Sequence, residues 1–428
     1  MEELLSEALR RQPMLPRPER ALLLELVQGV KRWEIRLDYF LAQLAAQPLK
    51  KMHPLVLQIL RLSAFQLLFL DRVPARAVLS EAGKLAKGKG LSRAQVGFIN
   101  AVLRRLTAEN LPGEPDLSRA PVLALSVAHA HPEWLVRRWL ARYGPEETAA
   151  RLAANNRIPP LSIRVNTLKI DREILKNRLA GEGATVELCS YSPVGLRLTA
   201  LESSPLDLPS HREGLWLFQD EGAQLVTFLA AAAPGQKIAE MGCGRGGKST
   251  HLAEMLGVEG LLLALDYHRG RLQDARLNLK RWGASRTQLL LADAGRTLPL
   301  KQGLWDTVVV DAPCSGLGIL RRHPEIKTRL KEADLATFPP RQRAMLEQAG
   351  DLLRPGGRLL YVTCTTEPEE NEEVIAAFLQ SHPEFHLLTD PESLPPTART
   401  FLHPSGFFQT SPATAALDGF FAAMLVRE

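Results

Sequence analysis

Residues 238–250 read IAEMGCGRGGKST, a short apolar run that leads into a glycine-rich loop and opens a helix. Glycines at such a position let the backbone approach a ligand, and the helix N-terminus offers free N–H groups. Further strand-like runs follow, separated by segments of helix length, at 261–266, 288–292, 307–311 and 358–363. Strands that alternate with helices predict a Rossmann-like α/β domain, with a mostly parallel sheet and helices on both faces.

The glycine loop fits two kinds of ligand site. The phosphate-loop pattern G-x-x-x-x-G-K-[ST] is met from Gly242 to Ser249 and would indicate an ATPase. That pattern is short, and it leaves unexplained the acids at successive strand ends, which are Glu240, Asp266, Asp293 and Asp311. A single such acid is often only a helix cap, but four in succession suit the amino-acid tail and ribose diol of S-adenosylmethionine. The methyl-donor site is therefore favoured, with these acids and the loop residues Gly242, Cys243, Gly244, Arg245, Gly246, Gly247 and Lys248 as its predicted members.

Two of the four cysteines close strand-like runs. Cys314 ends VVVDAPC, and Cys364 ends LLYVTC. The carboxyl end of an α/β strand is where such sheets bind ligands, and a thiolate is the best side-chain nucleophile near neutral pH. A buried, inert cysteine is the commoner alternative, and we prefer it for the thiols of Cys189 and Cys243. Without C-x-x-C spacing, the cysteines predict neither a disulfide framework nor a zinc site, so no metal is expected.

The charge of the chain is uneven. Its 428 residues are enough for two or three domains, and 53 Lys and Arg against 47 Asp and Glu give a net charge of +6. Residues 1–110 hold 18 basic and 10 acidic side chains, a surplus of 8, so the remainder is slightly acidic. This favours contact of the first part with a polyanion such as RNA, although many solvated helical domains are equally basic.

Three domains are expected along the chain. Helical spacing of apolar residues predicts an all-helical domain at residues 1–145. Residues 146–218 should form a linker and a small α+β subdomain, in which the alternating run at 161–167 places Arg164 and Asn166 on a strand. Residues 219–428 form the predicted α/β domain.

A cytoplasmic protein without membrane association is expected. The apolar stretch at residues 55–70 is interrupted by Gln58, Arg61 and Gln66, so it predicts a buried helix rather than a membrane span. The acidic start of the chain lacks the basic-then-apolar order of a signal peptide.

Several motifs carry a resemblance to a known family. DAPCSG at 311–316, and TCT at 363–365 with ENE at 370–372, resemble the two signature motifs of the RNA cytosine-5 methyltransferases. The glycine loop resembles that family's C-A-A-P-G-G-K-T, with GCGR in place of C-A-A-P and Glu240 in place of the usual Asp. Further matches are RVN at 164–166, QDE at 219–221, RRHPEI at 321–326 and DGFF at 418–421.

The helical first domain resembles the NusB antitermination-factor domain. That pairing of domains is similar to the bacterial small-subunit ribosomal RNA methyltransferases. The resemblance implies a class I methyltransferase fold with a NusB-like domain at its start, S-adenosylmethionine as cofactor, and 5-methylcytosine as product. The substrate implied is small-subunit ribosomal RNA, naked or partly assembled, because the base must be unstacked to expose its carbon 6.

The resemblance also implies residue roles. The Pro-Cys motif is the nucleophile in analogous DNA enzymes, which would favour Cys314, but in the RNA family the later cysteine attacks. Cys364 is thus the expected nucleophile, Cys314 the helper in product release, and Asp311 a contact for the edge of the base.

Five residues are expected to contact RNA, namely Arg164, Asn166, Arg321, Arg322 and His323. A solvated basic loop is nearly as good an interpretation of the last three. The leading alternative to an enzyme is a non-catalytic RNA-binding assembly factor, and an ATPase is the third.

Overall fold

The computed structural model describes residues 2–12, 14–106, 111–284 and 286–428. The chain forms two compact units. The first comprises Met1–Arg157 and Leu320–Glu332, and the second comprises Ile158–Ile319 and Ala333–Glu428. No helix among the described ranges combines the length and apolar character that a membrane crossing requires.

The helices and strands are numbered along the chain. The α-helices are α1 (Glu2–Arg11), α2 (Arg17–Leu44), α3 (Pro54–Phe69), α4 (Ala75–Gly88), α5 (Arg93–Arg105), α6 (Pro121–His129), α7 (Glu133–Asn156), α8 (Arg172–Gly181), α9 (Pro209–Arg212), α10 (Glu221–Phe228), α11 (Gly247–Leu256), α12 (Arg269–Trp282), α13 (Ile326–Arg329), α14 (Phe338–Leu352), α15 (Glu372–Ser381) and α16 (Pro412–Ala415). The strands are β1 (Leu161–Val165), β2 (Ala184–Leu188), β3 (Gly195–Leu201), β4 (Trp216–Phe218), β5 (Lys237–Met241), β6 (Leu261–Asp266), β7 (Thr287–Leu291), β8 (Trp305–Asp311), β9 (Leu353–Thr363), β10 (Phe385–Leu387), β11 (Phe408–Gln409) and β12 (Phe421–Arg427). Short 3-10 helices lie at Leu49–Lys51, Pro205–Asp207, Glu332–Thr337, Pro368–Glu370, Pro391–Ser393 and Pro396–Phe401.

The described part of the first unit is built from α-helices and short 3-10 turns, as predicted. The apolar faces of α2 and α3 pack on each other, with Leu37, Phe40 and Leu60 almost fully buried in one core. Helix α5 begins at a capping box, in which the Ser92 hydroxyl accepts from the Gln95 backbone N–H.

The helical part extends beyond the predicted boundary at residue 145. Helix α7 kinks at Gly144 (φ 75°, ψ 175°) and then continues through Pro145 to Asn156. The helix passes the predicted boundary because a proline is tolerated in the first turn of the helical segment that follows a kink. The first unit therefore ends at Arg157.

A second difference is the segment 320–332, which belongs to the first unit although the sequence places it inside the α/β domain. The Lys327 ammonium donates to Asn156 Oδ1 at 2.6 Å and to the Arg32 carbonyl at 3.2 Å. Arg32 in turn donates to the Arg321 carbonyl at 2.8 Å. Burial, and the nearby Arg32 charge, lower the pKa of Lys327 well below its usual range.

The small α+β subdomain is an antiparallel sheet with strand order β2-β3-β1-β4, and α8 packs on it. Alternate side chains of β1 point into a core that includes Ile163, Val165 and Trp216.

The large sheet has the order β10-β12-β9-β8-β5-β6-β7, with β11 paired to β12. The neighbouring pairs β9–β8, β8–β5, β5–β6 and β6–β7 are parallel. Strand β12 runs antiparallel to both β9 and β10. Val308 and Val310 pack with α14 and α15, while Val309, on the other face, packs with α10 and α11. The mostly parallel sheet covered on both faces confirms the predicted fold and brings the carboxyl ends of β5 to β9 to one edge.

Candidate active site at the carboxyl edge of the sheet

The two predicted cysteines meet at this edge. Strands β8 and β9 are neighbours, with Asp311 opposite Val362, and Cys314 and Cys364 lie just beyond them. Their Sγ atoms are 3.2 Å apart, and the Cys364 backbone N–H donates to Cys314 Sγ at 3.3 Å. Both side chains are partly exposed. The two thiols therefore lie within hydrogen-bonding distance of each other at the sheet edge.

Cys314 is held in its protonated form. The hydrogen bond with the Cys364 sulfur, followed by burial and the nearby Glu370 charge, raises the pKa of Cys314 well above its usual range. A thiol that keeps its proton beside another sulfur can act as a proton donor to that sulfur.

A lysine–aspartate pair lies beside the thiols. Lys248 Nζ donates to Asp311 Oδ2 at 2.8 Å. Burial lowers the pKa of Lys248, but the Asp311 carboxylate outweighs it, so the net effect is a raised pKa. Lys248 also interacts electrostatically with Cys364. The pair thus places an ammonium and a carboxylate beside the two thiols at this edge.

The glycine loop approaches β8 closely enough to require a glycine. Gly242 has a φ of 83°, and a Cβ there would lie 2.3 Å from the Asp311 carbonyl oxygen. Gly246 also has a positive φ and caps the N-terminus of α11. These glycines let the loop turn directly over the strand ends, with backbone N–H groups at a helix N-terminus.

Two of the predicted acids accept hydrogen bonds from the glycine loop and from the first turn of α11. Glu240 is fully buried, its Oε2 accepts from the Ser249 hydroxyl, and its Oε1 has no hydrogen-bond partner among the described residues. Burial raises the pKa of Glu240 to about 7. Asp266 accepts from the Gly244 N–H at 3.0 Å and from the His268 N–H at 2.7 Å.

These features fit a cofactor with a cationic tail and a ribose. The unpaired Glu240 oxygen leaves an acid beneath the loop that a cation would stabilise, and each Asp266 oxygen keeps lone-pair capacity for a hydroxyl. Asp293, partly exposed beyond β7, accepts from the Gly295 N–H at 3.1 Å. Arg245 lies in the loop and pairs with Asp274 at 3.4 Å.

The remaining cysteines have the features of inert thiols. Cys189 and Cys243 are both buried, and burial raises the pKa of each thiol. Within the described ranges, no group of three or more His, Cys, Asp or Glu side chains is arranged to hold a metal ion.

Arg164 is not at the surface, which corrects the expectation that it contacts RNA. Its side chain is fully buried, and its guanidinium donates to the Gly247 carbonyl at 2.8 Å and to Thr250 Oγ1 at 2.6 Å. It also reaches Gln219 and Glu254, and it stacks over the Trp282 ring at 4.9 Å. Arg164 therefore ties the small subdomain to the glycine loop.

Asn166 requires the same correction. Its side chain is fully buried, and its amide donates to the Gly214 and Trp282 carbonyls, each at 2.8 Å. Alternating polar residues on β1 suggested a solvated face, but the face is covered by the α/β domain.

The three residues of the basic cluster 321–323 differ in solvent exposure. Arg321 is buried, so its expected RNA contact does not fit this structure either. Arg322 and His323 are partly exposed, and His323 Nδ1 lies 3.6 Å from Glu325 Oε1. These two remain candidates for phosphate contact.

Sequence reasoning missed the residues that support the catalytic loops. Gln342 on α14 donates to the Pro313 carbonyl at 3.1 Å, and nothing in the local sequence marks it. Gly318 and Gly419 lie so close that a Cβ on Gly318 would be 2.0 Å from the Gly419 carbonyl oxygen. The DGFF motif is the signal that could have pointed to this second contact.

Three family models match successive parts of the chain. A family model described as 16S rRNA methyltransferase RsmB/F matches residues 226–426, the NusB family model matches 1–108, and an RsmF/B-like ferredoxin-like domain matches 131–202. The last match begins before the predicted subdomain boundary at 146.

Curated proteins and a solved structure are also similar to large parts of this chain. A probable ribosomal RNA small subunit methyltransferase B of Synechocystis is 34% identical over 98% of this chain and 94% of its own length. The ribosomal RNA small subunit methyltransferase B of Pseudomonas putida is 36% identical over 96% and 91%. The crystal structure of a methyltransferase homolog from Pyrococcus horikoshii matches 72% of this chain and 99% of its own, with 26% identity and a TM-score of 0.60. The chain belongs to the 16S rRNA methyltransferase RsmB/F family.

Proposed function

We propose that the protein methylates carbon 5 of a cytosine in small-subunit ribosomal RNA, with S-adenosylmethionine as methyl donor, through a covalent cysteine–cytosine adduct. The observation that carries this proposal is the pair of thiols, 3.2 Å apart, at the ends of the parallel strands β8 and β9. Membership of the RsmB/F family supports ribosomal RNA methylation as the class of reaction.

The chemistry of cytosine explains why a thiol is needed. Carbon 5 is a poor nucleophile because it belongs to an aromatic ring. A thiolate that adds to carbon 6 breaks the aromaticity and makes carbon 5 enamine-like, which replaces one difficult step by easier ones. S-adenosylmethionine, held by the glycine loop, Glu240 and Asp266, supplies an electrophilic methyl group on a sulfonium.

The protein's own residues divide the remaining work. Cys364 adds to carbon 6, and Asp311 contacts the edge of the base. Lys248, which donates to Asp311, also donates a hydrogen bond to that edge as negative charge develops there. The carbon 5 proton then passes to solvent water at the partly exposed site. The electron pair of that C–H bond forms the double bond between carbons 5 and 6, and the bond between carbon 6 and Cys364 breaks. Cys314 then gives its proton to the departing sulfur, which is 3.2 Å away.

The substrate should be RNA that is naked or only partly assembled. The thiols lie at the sheet edge and are only partly exposed, so a base must leave its stack to reach them. Arg322 and His323 are proposed to contact the RNA backbone.

A methyl-transfer assay tests the proposal. The protein is incubated with tritiated S-adenosylmethionine and either protein-free small-subunit RNA or mature subunits, and the digested nucleosides are separated. Label in 5-methylcytidine, and more of it from the free RNA, is the expected result. Label in another nucleoside, or none from either substrate, would contradict the proposal. Calorimetric titration with S-adenosylmethionine and with ATP addresses the alternatives, since heat from ATP alone would indicate an ATPase and heat from neither would favour a non-catalytic assembly factor.

A further inference from the structure

One buried carboxylate connects the two cysteine loops. Glu370 Oε2 accepts from the backbone N–H of Ser315, which follows Cys314, at 2.8 Å. Its Oε1 accepts from the hydroxyl of Thr365, which follows Cys364, at 3.3 Å. The Ser315 and Thr365 hydroxyls also bond to each other at 2.7 Å. The residues next to both thiols are therefore linked through one side chain.

Glu370 is itself fixed from two further elements. Gln342 on α14 donates to Glu370 Oε2 at 3.2 Å, and the Tyr361 hydroxyl on β9 donates to the Glu370 carbonyl at 2.6 Å. Glu370 is fully buried. The carboxylate is thus held by Gln342 on α14, and the backbone of the same residue is held by Tyr361 on β9.

Removal of this carboxylate takes an acceptor from two buried donors. The Ser315 N–H would lose its acceptor at 2.8 Å, whereas the Gln342 amide would lose Glu370 but keep the Pro313 carbonyl at 3.1 Å. An unsatisfied buried donor costs free energy. The loops would then move until those donors find water or another oxygen. The distance between the two sulfurs would change with them.

We propose that Glu370 is a positioning residue that sets the separation of Cys314 and Cys364. It acts through Ser315 and Thr365 and does not touch the substrate. This proposal rests on the covalent reaction proposed above, in which a proton passes between the two sulfurs.

A reagent for paired thiols tests the proposal without RNA. Phenylarsine oxide condenses with two neighbouring thiols, forming two As–S bonds and releasing one water, so its affinity reports on the thiol pair alone. Wild type should bind one equivalent by intact mass spectrometry, and Cys364→Ser, which lacks the pair, should bind none. Glu370→Ala should bind at least roughly tenfold more weakly. Glu370→Gln keeps an acceptor oxygen for the Ser315 N–H and should bind like wild type, as should Glu373→Gln, a change at an exposed glutamate three residues further along.

Kinetics give the second readout. In Glu370→Ala, kcat for methyl transfer should fall roughly 100-fold, the cost of a misplacement of about 1 Å, while KM for RNA is unchanged. If Glu370→Ala does not bind S-adenosylmethionine, and so has not folded, Thr365→Val is the test, because it removes only the hydroxyl between Glu370 and Ser315 and should also weaken arsenical binding.

Three results would overturn the proposal. The first is a Glu370→Ala variant that binds the arsenical as tightly as wild type and has the wild-type kcat. The second is a Glu370→Gln variant as defective as Glu370→Ala. The third applies if Glu370→Ala does not fold, and is a Thr365→Val variant whose arsenical binding is unchanged. Because the arsenical assay contains no RNA, its outcome is independent of whether cytosine is the substrate. Failure of the positioning role is thereby distinguishable from failure of the proposed reaction.

Discussion

Replacement of Arg164 by methionine separates a structural role from an RNA contact. Methionine retains much of the length and apolar character of the side chain but none of the hydrogen bonds to Gly247, Thr250 and Glu254. Burial lowers the pKa of Arg164 to about 10, so the guanidinium is still a cation at neutral pH. The variant therefore removes a buried charge from a buried network.

The loss can be estimated from the partners left behind. Breaking a buried ion pair by removing one member costs about 3–5 kcal/mol. Glu254 keeps the Trp282 indole N–H at 2.9 Å and the Thr167 N–H at 3.1 Å, which favours the lower end of that range. A loss of about 3 kcal/mol corresponds to a fall in Tm of roughly 6–12 °C for a unit of this size.

Three measurements test this prediction. Differential scanning fluorimetry gives the Tm, calorimetry gives the affinity for S-adenosylmethionine, and RNA binding is measured across salt concentrations. Arg164→Met should lower the Tm as above and weaken S-adenosylmethionine binding by about tenfold, because the Gly247 carbonyl at the loop is released. The salt dependence of RNA binding should not change. Arg212→Met is the control, since Arg212 is exposed and forms an ion pair with the exposed Asp207. The stability of this control variant should stay within about 0.5 kcal/mol of wild type. An Arg164→Met protein with unchanged Tm and cofactor affinity, but with a salt slope reduced by about one, would refute the reasoning and restore an RNA contact.

Three further predictions concern other parts of the molecule. Burial raises the pKa of Glu240 from 4.5 to about 7, so the folded protein binds an extra proton and loses stability as pH rises through that window. In thermal scans, the Tm of Glu240→Gln should equal that of wild type near pH 4.5 and exceed it at pH 8. Tm values that differ by the same amount at every pH would contradict this. The exposed Lys87 and Lys89 lie in the basic first unit. Their double alanine variant should lower the slope of log RNA affinity against log salt concentration by about 1.5, with no effect on the cofactor affinity measured by calorimetry. An unchanged slope would mean that this surface is merely solvated. The buried thiol of Cys243 takes no part in the proposed reaction, so Cys243→Ala should retain methyl-transfer activity within about threefold of wild type, the effect of a small loss of packing, and an inactive variant that still binds cofactor would contradict this.

The fold was predictable where one local pattern carried the information. Strand β6 lies where the apolar run 261–266 predicted it, and the other central strands begin within a few residues of their predicted runs, because buried parallel strands read as continuous apolar segments. The approach of Cys314 to Cys364 also followed from the sequence, since both lie just beyond the ends of adjacent parallel strands. Family membership confirms the predicted ribosomal RNA methyltransferase class.

What could not be predicted depends on contacts between distant segments. Arg164 alternates with apolar residues on β1, a pattern typical of a solvated face, and only the docking of that strand on the α/β domain buries it. The segment 320–332 reads as part of the α/β domain, and its membership of the helical unit depends on Lys327 meeting Asn156, 171 residues away in sequence. The link between Glu370 and Ser315 likewise spans 55 residues and requires the register of β8 with β9.

In the proposed reaction, Cys364 attacks carbon 6 and Cys314 donates a proton to the departing sulfur. A denaturing gel of protein–RNA adducts tests these two roles most directly. Each variant is incubated with S-adenosylmethionine and protein-free small-subunit RNA, and is then resolved under conditions that preserve only covalent complexes. Cys314→Ala should attack and methylate once, then accumulate as an adduct, because no proton is available to the departing sulfur 3.2 Å away. Cys364→Ala should be inactive and show no adduct, because no thiolate reaches carbon 6. An adduct in Cys364→Ala with none in Cys314→Ala would assign the attack to Cys314, and full activity without adducts in both variants would contradict the covalent mechanism.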